Sequence, residues 1–538
     1  MKRNQINKIS QFSILLISSI FFMCSSALAA TYYVDPNGND TSGNGTQTSP
    51  WKTLSTACNH VTSSGNTIYI NPGTYTDNNT CKLAIGVNIQ GAGSDRVLIK
   101  SAYNGAIGTA YIYRQNANTN PVTQGNNEIS GFTLDGSSKT LVMGIFIRGS
   151  DNLNIHNLKL QNIKVTALRV DGYYDWTDGY NTPPPAYGKN VVIHDIETAD
   201  TTTVTDYGWG PRLGAIALAA LENAQVYNLT INENIVGRGV GIKNTKGWLK
   251  GFKGYNWTIN TDVSNGDAFV FEIYNFLGDS EIYDCTFNHA LSLNGGLKTP
   301  ITGSTWNLKI HDTKTDFSKF PTHALGHELS HNYLDFYNNY IYGNKGRGAG
   351  LWTTNYSTGT SVNNWRFRNN VVYNCAAGGL SIEKGGSMSN IQVFNNVFDS
   401  ISNSPYGGYG ISTEGFSGTL SGLKIQNNLI MNCLAAPVSV GSKLTSTLID
   451  HNFFYGNGNG NGVKNAGSGT AITNNITSGA PGIMASGSRP TQYYQLTGSS
   501  NLLNTGINVG LPYNGTAPNI GAYGQPKLPL PPTNLTVS

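Results

Sequence analysis

Ionisable residues recur at one position of a short repeated motif, a small residue followed by apolar-x-apolar-x. In chain order, its last position reads Arg148, Asp171, Ala219, Lys243, Glu272, Asn294, Glu328, Trp352, Glu383 and Glu414. Side chains alternate between the two faces of a strand, so this position predicts one outward column. Paired carboxylates on such a surface are suited to cleaving glycosidic bonds by general acid–base catalysis.

Glu272 and Glu328 are the predicted catalytic pair. They lie two repeats apart with Asn294 between them, so we expect their backbones to be about 9.6 Å apart. That spacing approaches the roughly 6.5–9.5 Å between the carboxyls of inverting glycosidases. Lys243 precedes Glu272 by one repeat and should keep it ionised as a base. Glu328 lies next to Trp352, where partial desolvation should raise its pKa for the acid role.

Further column residues are predicted to bind the substrate. Trp352 offers an aromatic ring for stacking on a sugar, and the other expected contacts are Asn294, Glu383, Asp171 and Arg169. The outer positions beside the column are small and predict a shallow trough: Ala217, Gly241, Ser292, Gly326, Gly350, Ser381 and Ser412. Two inserts, 173–188 and 201–213, are expected to wall this trough.

Two other functions fit the same residues. A lyase acting on a uronate chain would use Lys243 as its base, with Arg148 or Arg169 neutralising the substrate carboxylate. Ca²⁺ held by Glu272 and Asp267 is the alternative neutralising group, although a row of glutamates would repel a polyanion. A non-catalytic glycan-binding or surface protein would need only the trough and Trp352.

Residues 327–331, HELSH, match the H-E-x-x-H pattern of zinc proteases. That chemistry needs a helix, so that both histidines share one face, but the segment occupies a strand position of the repeat. Alternation sends His327 inward and Glu328 outward. We therefore expect His327 to be buried and His327 and His331 not to converge on a metal. No residue is assigned as a metal ligand by this segment, and the cofactor is left open, with Ca²⁺ as one option.

A second motif explains how these residues are positioned. An apolar residue, any residue and then Asn or Asp recur along the chain without helical segments between them. The polar residues of this ladder motif are Asn157, Asp195, Asn228, Asp284, Asp312, Asn338, Asn369, Asn395 and Asn427. Stacked coils would bury one continuous core, with the ladder residues in one turn. The prediction is an all-β, single right-handed parallel β-helix of about ten to thirteen coils.

The chain resembles the pectate-lyase-like superfamily of right-handed β-helices. Residues 32–40 (YYVDPNGND) and 50–54 (PWKTL) are similar to the usual start of such proteins, and 68–75 (IYINPGTY) and 518–523 (PNIGAY) continue the likeness. The resemblance implies a secreted polysaccharide-active protein acting alone as a monomer. The superfamily includes lyases, hydrolases, epimerases, tailspikes and adhesins, so the fold does not choose among them.

The ends of the chain predict export. Lys2, Arg3 and Lys8 precede an apolar stretch and Ala27-Leu28-Ala29, so residues 1–29 are expected to be a signal peptide that is removed. The β-helix is placed at 30–525 and a proline-rich linker or tail at 526–538. No later stretch is apolar enough for membrane insertion, and the predicted location is extracellular.

Composition argues against nucleic acid as a partner. Charged residues make up 12% of the chain and its net charge is +4, of which the predicted signal carries +3. Binding to nucleic acid needs many cations against phosphates. Cys58 and Cys81 can pair in an oxidising compartment, whereas Cys285, Cys375 and Cys433 are expected to be buried thiols.

Overall fold

The computed structural model describes residues 29–106, 108–115, 123–138, 140–172, 183–201, 213–235, 240–244, 247–263, 269–319, 326–352, 361–383, 386–402, 407–441 and 444–523. They form a right-handed parallel β-helix, as predicted. Strands are numbered in chain order, and one short helix, α1 (Leu54–His60), begins after the capping residue Thr53.

A thirteen-stranded sheet runs the length of the solenoid. Its members are β4 (Cys81–Lys82), β7 (Ile112–Gln115), β9 (Met143–Arg148), β11 (Thr166–Asp171), β14 (Ile216–Ala219), β17 (Val240–Asn244), β20 (Phe269–Ile273), β24 (Ala290–Gly295), β27 (His327–His331), β30 (Ala349–Trp352), β33 (Leu380–Glu383), β36 (Ile411–Ser412) and β39 (Val438–Ser439). Each coil contributes one strand, so the number of coils agrees with the predicted ten to thirteen.

A 26-stranded sheet, called the large sheet here, forms the remaining walls. It contains β1 (Thr31–Val34), β2 (Thr67–Ile70), β3 (Gly73–Thr76), β5 (Asn88–Gly91), β6 (Val97–Lys100), β8 (Thr123–Asp135), β10 (Ser150–Gln161), β13 (Val191–Ala199), β16 (Gln225–Ile235), β19 (Lys253–Val263), β22 (Ser280–Tyr283), β23 (Thr286–Phe287), β25 (Leu308–His311), β26 (Lys314–Asp316), β28 (Leu334–Tyr337), β29 (Tyr340–Tyr342), β31 (Ser361–Arg368), β32 (Val371–Tyr373), β34 (Ser387–Phe394), β35 (Val397–Asp399), β37 (Thr419–Gln426), β38 (Leu429–Met431), β40 (Leu444–Thr445), β41 (Thr447–Asp450), β42 (Phe453–Tyr455) and β43 (Thr470–Thr473). A short sheet joins β12 (Gly188–Lys189), β15 (Leu221–Glu222), β18 (Leu249–Lys250) and β21 (Phe276–Leu277).

The predicted ladder forms the corner of the large sheet. Pairing of His156 with His194 and of Leu158 with Ile196 places Asn157 beside Asp195, and the same register continues from coil to coil. All of these corner residues have a left-handed backbone, with φ of 53° at Asn157 and 56° at Asn338. Asn and Asp tolerate this conformation better than other residues with side chains. The stacking of the ladder in one turn is confirmed.

A second, buried column of asparagines follows the corner in the C-terminal half. It consists of Asn339, Asn370, Asn396, Asn428, Asn452 and Asn475. At its centre, Asn396 donates from Nδ2 to Asn428 Oδ1 at 2.9 Å, and its Oδ1 accepts from the backbone N–H of Asn370 at 2.9 Å. Each amide therefore satisfies its neighbour, which removes the cost of burying polar groups.

Apolar side chains fill the interior between these corners. Phe336, Phe367 and Phe398 stack along the axis with ring centroids 5.3 and 6.2 Å apart. Burial of each such ring contributes roughly 1.5–3 kcal/mol to the free energy of folding. Stacking thus gives every coil the core that it lacks alone.

The two ends are secured differently. At the N-terminal end, α1 is tied to β4 by the Cys58–Cys81 disulfide, with Cα atoms 5.3 Å apart. After β43, residues 476–523 run back over the outer face of the large sheet, a segment called the strap here. Tyr494, Leu502 and Ile520 of the strap pack on apolar side chains of β32, β35, β38 and β42. The other three cysteines are free and buried, as expected.

Within the described ranges, no helix has the length and apolar character needed to cross a bilayer. The predicted signal at 1–29 and the tail at 526–538 lie outside those ranges except for residue 29.

We predict that Asn396→Ala lowers the free energy of unfolding by about 1–3 kcal/mol, because it leaves buried amides on both sides without partners. Denaturant titration measures this, with the exposed Asn459→Ala as the control, expected to change stability by less than about 0.5 kcal/mol. Equal stabilities of the two variants would show that the buried column does not hold the coils together.

Candidate active face

The outward residues of the thirteen-stranded sheet form two columns rather than one. The first column holds Arg169, Ala217, Lys243, Glu272, Ser292, Glu328, Gly350 and Ser381. The second holds Arg148, Asp171, Ala219, Tyr274, Asn294, Ser330, Trp352, Glu383 and Glu414. The predicted single column is therefore wrong at Lys243, Glu272 and Glu328, which lie two residues away from its other members.

The error has a simple geometric cause. A shift of two residues keeps every side chain on its face, so apolar alternation cannot reveal it. Spacing from the ladder corner also cannot reveal it, because the number of residues between the corner and the outward position varies from coil to coil, with 16 from Asp312 to Glu328 and 14 from Asn338 to Trp352. As a consequence Ser292, and not Asn294, lies between Glu272 and Glu328, which remain two strands apart.

Lys243 and Glu272 form an ion pair across adjacent strands. Lys243 Nζ lies 2.5 Å from Glu272 Oε2, and Tyr274 donates from its hydroxyl to Glu272 Oε1 at 2.6 Å. The inward neighbours Ile242 and Phe271 are fully buried and fix both backbones. Lys243 and Glu272 side chains are only 6% and 11% exposed, so this carboxylate is held by two donors in a nearly dry setting.

Glu328 has a different environment. Its Oε2 accepts a hydrogen bond from Ser292 Oγ at 2.6 Å. Ser292 belongs to the strand between Glu272 and Glu328, so it bridges part of the distance between the two carboxyls. Sequence reasoning gave Ser292 only a place in the trough and gave Tyr274 no role, although both occupy outward positions.

Two further carboxylates of the face are ion-paired. Arg169 Nε donates to Asp171 Oδ2 at 2.7 Å, and the guanidinium lies 4.5 Å above the Phe146 ring. Arg347 Nη1 donates to Glu383 Oε1 at 2.7 Å. Substrate contacts by Asp171, Arg169 and Glu383 stay predictions.

Several of the predicted site residues lie beyond the described part. Trp352 is placed by its strand only, next to Glu383 in the second column, and its side chain is outside the described residues. Asp267 is also outside them. So are most of the two inserts expected to wall the trough, at 173–182 and 202–212.

The outward side chains of β11 to β24 are largely buried. Arg169, Lys243, Ser292 and Asn294 point away from the solenoid interior, yet each is no more than 4% exposed. The shallow groove expected there is therefore not exposed at these four residues, whereas Glu328 on the adjoining β27 is partly exposed. Coulombic interactions are stronger in such a setting than in water, and uncompensated charge is more costly.

His327 and His331 both point into the solenoid from β27 and are fully buried. Nδ1 of His327 accepts from the Leu291 backbone N–H at 3.0 Å, and Nε2 of His331 accepts from that of Phe276 at 3.0 Å. Both rings are thus neutral hydrogen-bond acceptors. Burial lowers the pKa of His327 to about 3 and that of His331 to about 4.

The burial expected for His327 is confirmed, and the H-E-x-x-H segment is a strand. No cluster of three or more His, Cys, Asp or Glu side chains suited to a metal occurs among the residues that the structure describes.

Comparison with known proteins gives few matches in sequence. No family model matches the chain. The pre-neck appendage protein of Bacillus phage phi29 is 32% identical over 151 residues, and that of phage PZA matches equally. The match covers 25% of this chain and 17% of each appendage protein, so the chain spans about a sixth of the length of these relatives.

Solved structures resemble the chain in fold. Pectate lyase Pel9A is 13% identical, with 92% of this chain and 96% of that one covered and a TM-score of 0.24. The N-terminal fragment of phage phi29 gene product 12 is 15% identical, with 76% of each chain covered and a TM-score of 0.33. A rhamnogalacturonan lyase is 12% identical, with 84% and 87% covered and a TM-score of 0.23.

We predict that stability falls as the pH is lowered from about 6.5 towards 4. Unfolded histidine has a pKa near 6.5, so in this range the unfolded chain binds protons that the folded one excludes. Above pH 6.5 the two rings take nothing from the free energy of unfolding. Below it, His327 and His331 each lower that free energy by about 1.4 kcal/mol per pH unit.

Urea titrations at pH 7, 6 and 5 measure this slope. His327→Gln should remove about half of it, whereas His60→Gln, on an exposed residue, should leave it unchanged. Identical stability at pH 7 and pH 5 would mean that the two rings are not buried in neutral form.

Proposed function

We propose that this protein is a secreted, monomeric polysaccharide-cleaving enzyme that hydrolyses a glycan lying along the outer face of the thirteen-stranded sheet. The observation that carries the proposal is the buried Lys243–Glu272 ion pair on an outward-facing surface. Buried ion pairs rarely repay their desolvation in stability. Two such pairs, Lys243–Glu272 and Arg169–Asp171, lie at outward positions of this face in a chain that is only 12% charged, which favours a functional role.

Glu272 is the proposed base. Lys243 and the Tyr274 hydroxyl each donate to one oxygen of its carboxylate, which can take a proton from an attacking water. Glu328 is the proposed acid. In its protonated form it can keep the Ser292 hydrogen bond at Oε2 while its other oxygen gives a proton to the leaving group.

The spacing of the two residues agrees with these roles. Two strand separations put their backbones about 9.6 Å apart. Glu328 leans toward Ser292, whose Oγ donates to its Oε2, whereas Glu272 is held by Lys243 on the other side. The resulting separation leaves room for one water beside the sugar.

The lyase alternative is supported less well. Lys243 Nζ is already paired with the Glu272 carboxylate, so it is not free to take a proton from a substrate. Arg169, one of the two arginines that could neutralise a uronate, is already ion-paired with Asp171. Binding of Ca²⁺ by Glu272 and Asp267 stays a prediction from the sequence.

A second candidate is a non-catalytic glycan-binding or surface protein. The specific observation in its favour is the 32% identity over 151 residues to phage proteins described as appendages. Such a protein would bind along the same face without a productive acid–base pair. The test below separates the two.

We predict that Glu272→Gln and Glu328→Gln each lower kcat by roughly 10²–10⁴, because each removes one proton-transfer group. Plant, algal and bacterial polysaccharides would be screened for reducing ends and, in parallel, for absorbance of unsaturated ends. Glu281→Gln is the matched control, since Glu281 is an ion-paired glutamate on the large sheet.

Reducing ends without unsaturated ends support hydrolysis. Full activity in either glutamine variant would remove the proposed pair. Full activity in both, with an inactive Lys243→Ala, would move the assignment to a lyase, and binding without cleavage of any substrate would establish the second candidate.

A further inference from the structure

A repeated Thr-x-Asn motif forms a regular array on the outside of the large sheet. It occurs at residues 230–232, 258–260 and 286–288, always 28 residues apart. Strand register aligns the three copies on neighbouring strands, and the central residue of each is buried in the core. The threonine and asparagine side chains therefore point outward in two columns that the candidate active face does not use.

Two open concavities lie along these columns, one on the threonine column and one on the asparagine column, and they overlap at β13 and β16. One encloses about 440 Å³ and is lined by Lys159, Glu197 and Thr230. The other encloses about 580 Å³ and extends from Asn232 to Tyr342. Together they span the seven paired strands from β10 to β29, which corresponds to a length of roughly 29 Å along the axis.

The amides of this groove are oriented before any ligand arrives. Asn260 Nδ2 donates to Asn232 Oδ1 at 3.0 Å, and Asn288 Oδ1 accepts from the Thr261 backbone N–H at 3.0 Å. Thr230, Thr258 and Thr286 are exposed, and none of their hydroxyls has a hydrogen-bond partner within the described ranges. The groove thus presents fixed amides and hydroxyls that can donate and accept.

Charge selects among ligands that could fill such a groove. Its lining includes three lysines, Lys159, Lys314 and Lys319, against six carboxylates, Asp95, Asp195, Glu197, Asp200, Glu233 and Asp316. A surplus of negative charge repels polyanions such as uronates. Rows of hydroxyl and amide groups match the hydroxyls of a neutral sugar.

We propose that this groove is a second glycan-binding site, which holds a neutral, extended, β-linked polysaccharide parallel to the solenoid axis. An extended β-linked chain advances by nearly one strand spacing per sugar, so each coil can offer equivalent contacts to successive units. The site ends at Tyr342, because the next residue of the column, Tyr373, is covered by Arg489 of the strap at 4.1 Å. It shares with the proposed function only the class of ligand.

Binding by the full chain would be measured on a Glu272→Gln background, so that no ligand is cleaved. The probes are cellohexaose, xylohexaose and mannohexaose in calorimetry, and β-glucan, arabinoxylan, galactomannan and polygalacturonate in affinity electrophoresis. Thr258→Ala combined with Asn260→Ala should raise Kd for a neutral hexasaccharide about tenfold, the loss expected for two hydrogen-bonding groups. Thr286→Arg, which fills the groove from an exposed position, should do the same.

Gln225→Ala is the matched control, since Gln225 is exposed on β16 outside the groove. It should leave Kd unchanged. The proposal is overturned if no neutral glycan binds, if the groove variants bind as tightly as the control, or if polygalacturonate is preferred. Absence of cleavage in the wild-type chain would count against the proposed hydrolase but not against this groove, because binding is measured on uncleaved ligands.

Discussion

The stacked corner residues of the large sheet set the register between successive coils, and the positions of the other strands follow from that register. Each coil turns there at one residue with left-handed φ, usually Asn or Asp, and successive corner residues stack on one another. In the C-terminal half the next residue adds a buried amide that bonds to those above and below. A slip of one residue at a corner would turn the following side chains to the wrong face, so this stacking holds the core in register.

The same register determines which side chains become neighbours on the outer faces. Strands held at a fixed spacing turn residues distant in sequence into neighbours, as with Lys243 and Glu272, which are 29 residues apart yet form a 2.5 Å ion pair. The same regularity produces the Thr-x-Asn array on the large sheet. The thirteen-stranded sheet carries buried, paired charges on its outer face, and the large sheet carries exposed amides and hydroxyls. The same scaffold can carry different chemistry on its outer faces.

Sequence reasoning recovered the solenoid and its ladder because a repeat is visible wherever each coil must meet the same local constraint. It recovered which residues face outward, since alternation has a period of two. It failed at the column, because Lys243, Glu272 and Glu328 are displaced by two residues and keep their face. The number of residues between the corner and the strand sets this displacement, and no local sequence pattern predicts that number.

Two other features also escaped the sequence reading. The doublets Asn369-Asn370, Asn395-Asn396 and Asn427-Asn428 carried a visible signal for the buried amide column, which a search for the second Asn would have found. Burial of the outward charges had no such signal, because alternation along a strand gives the face of a side chain and not its exposure. The repeat placed Lys243 beside Glu272, whereas the contacts of Tyr274 with Glu272 and of Ser292 with Glu328 were learned only from the structure.

The proposed chemistry is tested most directly by the configuration of the first product formed. Two carboxyls carried by strands two spacings apart leave room for a water, so hydrolysis should invert the anomeric centre. Proton NMR of a cleavage mixture, recorded before mutarotation equilibrates the new reducing end, reads this configuration. The account predicts inversion, and it would be contradicted by a product that retains the substrate's configuration or carries an unsaturated sugar.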